Sequence, residues 1–292
     1  MTNDALLMDL ADCGSPETLV GAILRHHPDL PRRVPVEEIA SSVGIIEIQD
    51  RDMDSFEGAL VADPQKTRGA IAVKRGTHPR RRRYTIGHEL GHFLIPSHGA
   101  QMQCTSADMK ERRWDNPVRK REYEANRFSA GLLMPKPLFT KDVDALGAAD
   151  VTHVKQLSDL YDISLEATAN RYAELSSEMC AFVFSKDCKV RYARPSRSMP
   201  ELCVRPGDII PPASVAARIN TVSAPSNWEE LSGSVWLKAE WGSKSPTVLE
   251  QTIVQANGYR VTLLYVEETE AQEREEEEAL RDSWQVGFGR RR

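Results

Sequence analysis

His88-Glu89-Leu90-Gly91-His92 reads H-E-x-x-H, and the residues around it decide how it is used. Tyr84-Thr85-Ile86-Gly87 leads in, Leu90, Phe93, Leu94 and Ile95 supply an apolar side, and Pro96 stops the segment. That pattern predicts a helix. Residues four apart on a helix share one face, so His88 and His92 present two imidazoles to one ion. Neutral imidazoles suit Zn²⁺, which takes three protein ligands in catalytic sites and keeps a fourth position for water. Mn²⁺ and Fe²⁺ compete for the same donors, and affinity order and availability decide between them. Glu89, one residue round the helix, is poorly aimed as a ligand and well placed to take a proton from water on the ion. Two surface histidines would match the spacing by chance. A buried helix with three titratable groups on its other side needs a reason, and an ion supplies one.

Upstream, residues 17–28 read as a helix, and Pro35 opens a second that carries Val36, Ile39, Ala40 and Val43 on one face and ends at Gly44. Strands are expected at 45–48, 58–61 and 69–73, so a small sheet precedes the H-E-x-x-H helix. Arg80-Arg81-Arg82-Arg83 reads as a solvated helix start, with contact to a phosphate or an acidic partner as the other reading. Downstream of Pro96 the chain is polar and without periodicity to about residue 119, the kind of insertion that often helps build a cleft. Helical pattern returns over 119–133 and ends at Met134-Pro135-Lys136-Pro137.

A catalytic zinc needs a third protein donor, and carboxylates on that second helix are the natural candidates. Glu122 and Glu124 face about 160° apart. Glu122 shares its face with the small or polar Ala125, Asn126 and Ser129, which would let the helix approach the first one closely; Glu124 shares its side with Phe128. The expected metal ligands are therefore His88, His92 and Glu122, with Glu89 as the catalytic base. Glu111 and Asp115, in the insertion, are weaker candidates. Asn126 either fixes a ligand's orientation or makes a helix-packing hydrogen bond. Cys104 reads as a buried thiol; as a fourth ligand it would close the site. The oxyanion would need a further donor, which the sequence does not identify; Tyr123 and the insertion residues are candidates, and neither is favoured.

Residues 151–175 predict two helices joined at Asp162-Ile163-Ser164, with Ser164 as N-cap. The second offers only Arg171 as a basic residue, so a packing module is favoured over a DNA reader. From Met179 onward, strands are expected at 181–184, 189–193, 234–241, 248–255 and 260–266, with turns at 186–188 and at Asn257-Gly258. Glu275 to Glu278 is a run of four carboxylates, read as a solvated tail. The expected division is 1–140, 141–178, 179–269 and a tail at 270–292. Net charge is −5, which argues against a general polyanion binder. No apolar run reaches bilayer length, and the first residues lack a basic stretch before an apolar one. Five cysteines without a CxxC pair fit free thiols in a reducing cytoplasm. Oligomeric state is not legible.

Tyr84–His92, followed by Glu122-x-x-Ala125-Asn126-x-Phe128-x-x-x-Leu132-Leu133-Met134-Pro135, resembles the ImmA/IrrE family of metallo-endopeptidases over about the first half of the chain. The resemblance implies an α+β fold: a zincin-like metallopeptidase domain, a central helix-turn-helix-like segment and a C-terminal GAF-like α+β domain of the radiation-response branch. It implies Zn²⁺ held by His88, His92 and Glu122, Glu89 as base, and an XRE-family transcriptional repressor as substrate, cut to relieve repression in stress, DNA-damage or mobile-element responses. Ser129 departs from the alanine that family members often carry there. The rival readings are a regulator that binds a repressor or DNA without cutting, and a toxin–antitoxin component.

Overall fold

The computed structural model describes residues 4–220, 222, 224–238 and 245–266. They fall into two compact units, Met1–Gly147 with His153–Arg171, and Ala148–Thr152 with Tyr172–Arg292. Residues 141–178 are thus shared between the two.

The first unit opens with α1 (Asp4–Ala11), α2 (Pro16–His26) and α3 (Val36–Ser42). Ser15 caps α2 by a reciprocal exchange with Thr18, which satisfies amides the first turn would otherwise leave bare. Gly44, at φ +115°, turns the chain into β1 (Ile45–Arg51), in a conformation that suits glycine. Strands β2 (Gly58–Ala62) and β3 (Gly69–Lys74) follow, then the long helix α4 (Pro79–Leu94) and a short strand, β4 (Gln101–Cys104). The sheet order is β1-β3-β2-β4. β1 lies parallel to β3, and the other two pairs are antiparallel. Strand β3 alternates buried and half-buried positions, with Gly69, Ile71 and Val73 turned inward. Phe93 of α4 lies against the backbone at Gly44 and Gly69, so glycine at both positions lets the helix settle close to the sheet.

Helix α5 (Pro117–Leu133) packs on α4 and is followed by α6 (Lys136–Leu146), α7 (Val151–Tyr161) and α8 (Leu165–Leu175). Three elements go beyond the sequence reading. α1 was not expected. β4 lies in the stretch read as irregular: four residues of mixed polarity give too little alternation to register. Met134-Pro135-Lys136-Pro137 ends α5 but also starts α6, because proline in a first turn lacks only an amide that has no partner there.

The second unit holds β5 (Cys180–Lys186), β6 (Lys189–Pro195), the short α9 (Val215–Arg218), β7 (Glu229–Ser232), β8 (Thr247–Val254) and β9 (Tyr259–Val266). They form an antiparallel sheet ordered β6-β5-β9-β8-β7. Its tight turns put two successive residues at positive φ: Asp187 and Cys188 at 48° and 60°, Asn257 and Gly258 at 62° and 76°. That backbone matches the twist of the flanking strands. Trp236 is buried in the core of this unit and donates its indole N–H to Glu250 at 2.7 Å. The strand expected at 234–241 is corrected: Gly233–Val235 is a 3₁₀ turn, and 239–241 lie outside the described residues. The tail at 270–292 lies outside them as well.

Candidate metal centre

His78 and Pro79 begin α4: the His78 ring accepts from the Arg80 amide at 3.3 Å, and Pro79 supplies a preset φ at the first helical position. The four arginines that follow are not a free solvated face. Arg80 reaches Asp159 at 2.7 Å, Arg81 lies 3.5 Å from Glu57, and Arg82 pairs with Asp50 at 2.9 Å. Asp162, at φ 52° in the turn before α8, draws Arg33, Arg80 and Arg83 to 3.0, 3.3 and 3.6 Å. The run does open a helix, as read from the sequence, but instead of being a freely solvated face it is paired with carboxylates of its own unit.

One helical turn further on, α4 becomes wholly buried from Thr85 to Phe93. His88 and His92 place their Nε2 atoms 3.1 Å apart. Asn116 caps α5 by accepting from the Arg119 amide at 3.0 Å. Two turns on, Glu122 puts Oε2 at 3.3 Å from each imidazole Nε2. Four atoms, one each from His88, His92, Glu122 and Cys104, lie within 4.8 Å of one another. Tetrahedral zinc with spokes near ~2.05 Å has ligand-to-ligand edges of about 3.3 Å. The His–His and His–Glu spacings sit at that edge length before any ion is added, so the donor set fits a small divalent cation.

Each imidazole is held by its other nitrogen. His88 Nδ1 bonds Asn126 Oδ1 at 2.9 Å, while the Asn126 amide donates to the carbonyls of Asp108 and Glu111 at 2.8 and 3.1 Å. With the amide committed as donor, Oδ1 must accept, so His88 carries its proton on Nδ1 and offers a bare Nε2. Glu124 Oε2 lies 3.1 Å from His98 Nε2, and His98 Nδ1 lies 2.9 Å from His92 Nδ1. The carboxylate fixes the His98 proton on Nε2, His98 then accepts from His92, and the second Nε2 is bare as well. Glu124, the alternative third ligand, thus supports His92 through His98. Sequence reading missed His98 because nothing in the polar insertion marks it. It also missed Lys66, whose ammonium donates to the carbonyls of His92 and Ile95 at 2.9 and 2.6 Å and closes the end of α4.

Glu89 is fully buried, and neither carboxylate oxygen makes a hydrogen bond among the described residues. Gly58 of β2 leaves room for it: a Cβ there would meet Glu89 Oε1 at 2.4 Å. Burial pushes the Glu89 carboxyl up to about 7, the range a proton-transfer group needs near neutrality. Burial pushes His92 down to about 4, which keeps it neutral and able to ligate. Burial opposes ionisation of Glu122, but the imidazoles of His88 and His92 against its Oε2 outweigh it and hold Glu122 well below the ordinary carboxylate range. The arrangement combines two imidazole donors, an anionic donor and a proton acceptor in a buried setting.

The other candidates are engaged elsewhere. Glu111 pairs with Arg113 at 2.9 Å and Asp115 with Arg119 at 2.7 Å. The Tyr123 hydroxyl accepts from Arg127 at 3.1 Å.

No curated protein matches the sequence. A solved structure of a Mycobacterium tuberculosis transcriptional regulator is similar at TM-score 0.46 and 13% identity, over 91% of this chain and 76% of that chain; a likeness that loose carries no weight for fold or function. Residues 44–172 match the family model of the Peptidase_M78, IrrE N-terminal-like domain, a span that holds β1 through α7, the whole donor cluster and Glu89. Within that span the chain is similar to the metallopeptidases of the IrrE N-terminal-like type, the family that its H-E-x-x-H and Glu122 motifs resemble.

Proposed function

We propose that this protein is a zinc-dependent endopeptidase that cleaves an XRE-family transcriptional repressor and so relieves repression in a stress, DNA-damage or mobile-element response. The observation that carries the hydrolytic reading is the buried triangle of His88, His92 and Glu122 at tetrahedral spacing, with the unpaired Glu89 carboxyl beside it. An ion held there would activate water and polarise the scissile carbonyl. Glu89 takes the proton of the attacking water and passes it to the leaving amine. Asn126 and His98 hold the Nδ1 protons of His88 and His92, so each ring turns its Nε2 to the site. Among the described residues, β4 pairs only with β2, so its other edge is the place where a substrate strand would add to the sheet. The choice of a repressor as substrate rests on the family resemblance.

The same resemblance gives the remaining parts their roles. The second unit serves as a GAF-like sensor, and the α7–α8 segment is helix-turn-helix-like. Arg171, the basic residue of α8, donates to the carbonyl of Met134, which supports packing over DNA reading. Among the described residues no helix is long and apolar enough to cross a membrane, and the free thiols fit a cytoplasmic setting. One observation favours a second reading, a regulator that binds without cutting: Cys104 sits where a fourth ligand would close the centre.

The test is incubation of zinc-loaded protein with the XRE-type repressor encoded beside it. Cleavage that chelator abolishes and Glu89→Gln lacks supports the proposal. A fully active Glu89→Gln protein would sink the mechanism, and a protein that binds no metal would sink the reading as a whole.

A further inference from the structure

The mechanism above leaves one member of the cluster without a task. Cys104 is fully buried, and its Sγ lies 3.5 Å from His92 Nε2. Tetrahedral zinc with a spoke of about 2.3 Å to sulfur and ~2.05 Å to nitrogen separates those two ligands by roughly 3.5 Å. The sulfur also stays within 4.8 Å of the donor atoms of His88 and Glu122. Its backbone is pinned: Cys104 stands opposite Gly58 in the β2–β4 ladder, and its carbonyl accepts from the Glu57 amide at 2.8 Å. The thiol further lies beside the Glu89 carboxyl. Three donors come from two packed helices; the fourth comes from the edge strand that closes the sheet.

We propose that Cys104 is a fourth protein ligand, so that the resting centre is a closed His88–His92–Glu122–Cys104 set with a thiolate in the position that hydrolysis needs for water. Metal binding then releases the Cys104 thiol proton to solvent and forms a metal–sulfur bond. Activity requires that bond to break and water to take the vacated position, with the sulfur reprotonated as it leaves. The inference rests on the metallopeptidase reading and deepens it: the peptidase is self-blocked, and whatever shifts the end of β4 opens it. It also reconciles the two readings above, because a protein caught in the closed state would bind partners without cutting them.

The test uses the full chain loaded with one equivalent of Co²⁺, which reports sulfur ligation through a thiolate-to-cobalt charge-transfer band in the near ultraviolet. Wild type is expected to show the band. Cys104→Ala and Cys104→Ser are expected to hold cobalt without it, with metal affinity at least ~10-fold weaker by chelator competition. The serine variant guards against a cavity effect of the alanine. Stoichiometric cobalt in wild type with no band would overturn the proposal and leave the peptidase reading standing. A band that survives in both variants would overturn it too, because the sulfur would then come from another cysteine. Failure of wild type to hold cobalt or zinc would overturn the metallopeptidase reading, and this proposal with it.

Discussion

Replacing Glu89 by Gln in the metal-free protein should change stability in a way that depends on pH. The carboxyl is fully buried with no hydrogen bond to its oxygens among the described residues, and burial raises it from an ordinary value of 4.5 to about 7. Below pH 4.5 the group is protonated folded or unfolded, so it adds no pH-dependent term. Between pH 4.5 and 7 the folded protein keeps a proton that the unfolded chain has lost. Folded stability therefore falls as pH rises through that window and levels off above it. At about 1.4 kcal/mol per pH unit the full effect is on the order of 3 kcal/mol. Glutamine does not titrate. The stability of Glu89→Gln relative to wild type should thus climb by about 3 kcal/mol from pH 4.5 to pH 7.5, worth roughly 6–12 °C in the melting midpoint of a unit this size. Paired urea or thermal melts of the two apo proteins, taken every half pH unit, measure it. The paired design cancels titrations they share, such as that of His92. A difference that stays flat across the window would refute the claim that Glu89 is buried uncharged, and would remove the case for it as a base tuned to neutrality.

Other perturbations reach the site without touching its reacting atoms. Asn126→Ala and His98→Ala should each weaken zinc binding by about 10- to 100-fold in chelator competition, because each removes the group that fixes a ligand imidazole; unchanged affinity in both would show the rings are held by packing alone. Gly58→Ala should lower kcat while zinc stays bound, since the new methyl would sit 2.4 Å from Glu89 Oε1 and 2.6 Å from Thr85 Cγ2 and must push the base aside; wild-type turnover would mean the base tolerates displacement. Phe93→Ala should cost about 3–5 kcal/mol in chemical denaturation, because this ring fills the space between α4 and the sheet at Gly44 and Gly69. A loss below 1 kcal/mol would mean the helix collapses onto the sheet.

The residues that meet in the candidate site were more legible than the scaffold that closes around it. His88, Glu89 and His92 follow from spacing alone, because a helix maps four residues onto one face. Glu122 was legible by elimination between two faces: Ala125, Asn126 and Ser129 are the residues that fit against a neighbouring helix, and all three are buried in α5. What was not legible depends on non-local packing. His98 acquires its role only when Glu124 and His92 arrive on either side of it. Cys104 reaches the cluster by strand pairing with β2, which a polar tetrapeptide does not announce. The arginine run was placed correctly at a helix start, but its ion pairs were not legible because the partners, Glu57, Asp50, Asp159 and Asp162, are scattered along the sequence. In the second unit, Asn257-Gly258 marked its turn correctly because positive φ is a local demand. The stretch at 234–241 failed because apolar residues in a 3₁₀ turn and in a strand look alike.

The contact between α4 and α5 acts as a gauge. A Cβ on Gly87 would fall 2.6 Å from Ser129 Oγ, and one on Gly91 would fall 3.2 Å from the Ala125 Cα. Backbone therefore rests almost on backbone, and Ser129 locks the fit by donating to the carbonyl of Tyr84 at 2.9 Å. The distance from Glu122 to the two imidazoles is set by this stop rather than by the flexible side chains that span it. A ruler made of missing side chains cannot drift, yet one added carbon recalibrates it. Selectivity among cations of slightly different radius would then be adjustable from positions 87, 91 and 129, none of which is among the candidate donors.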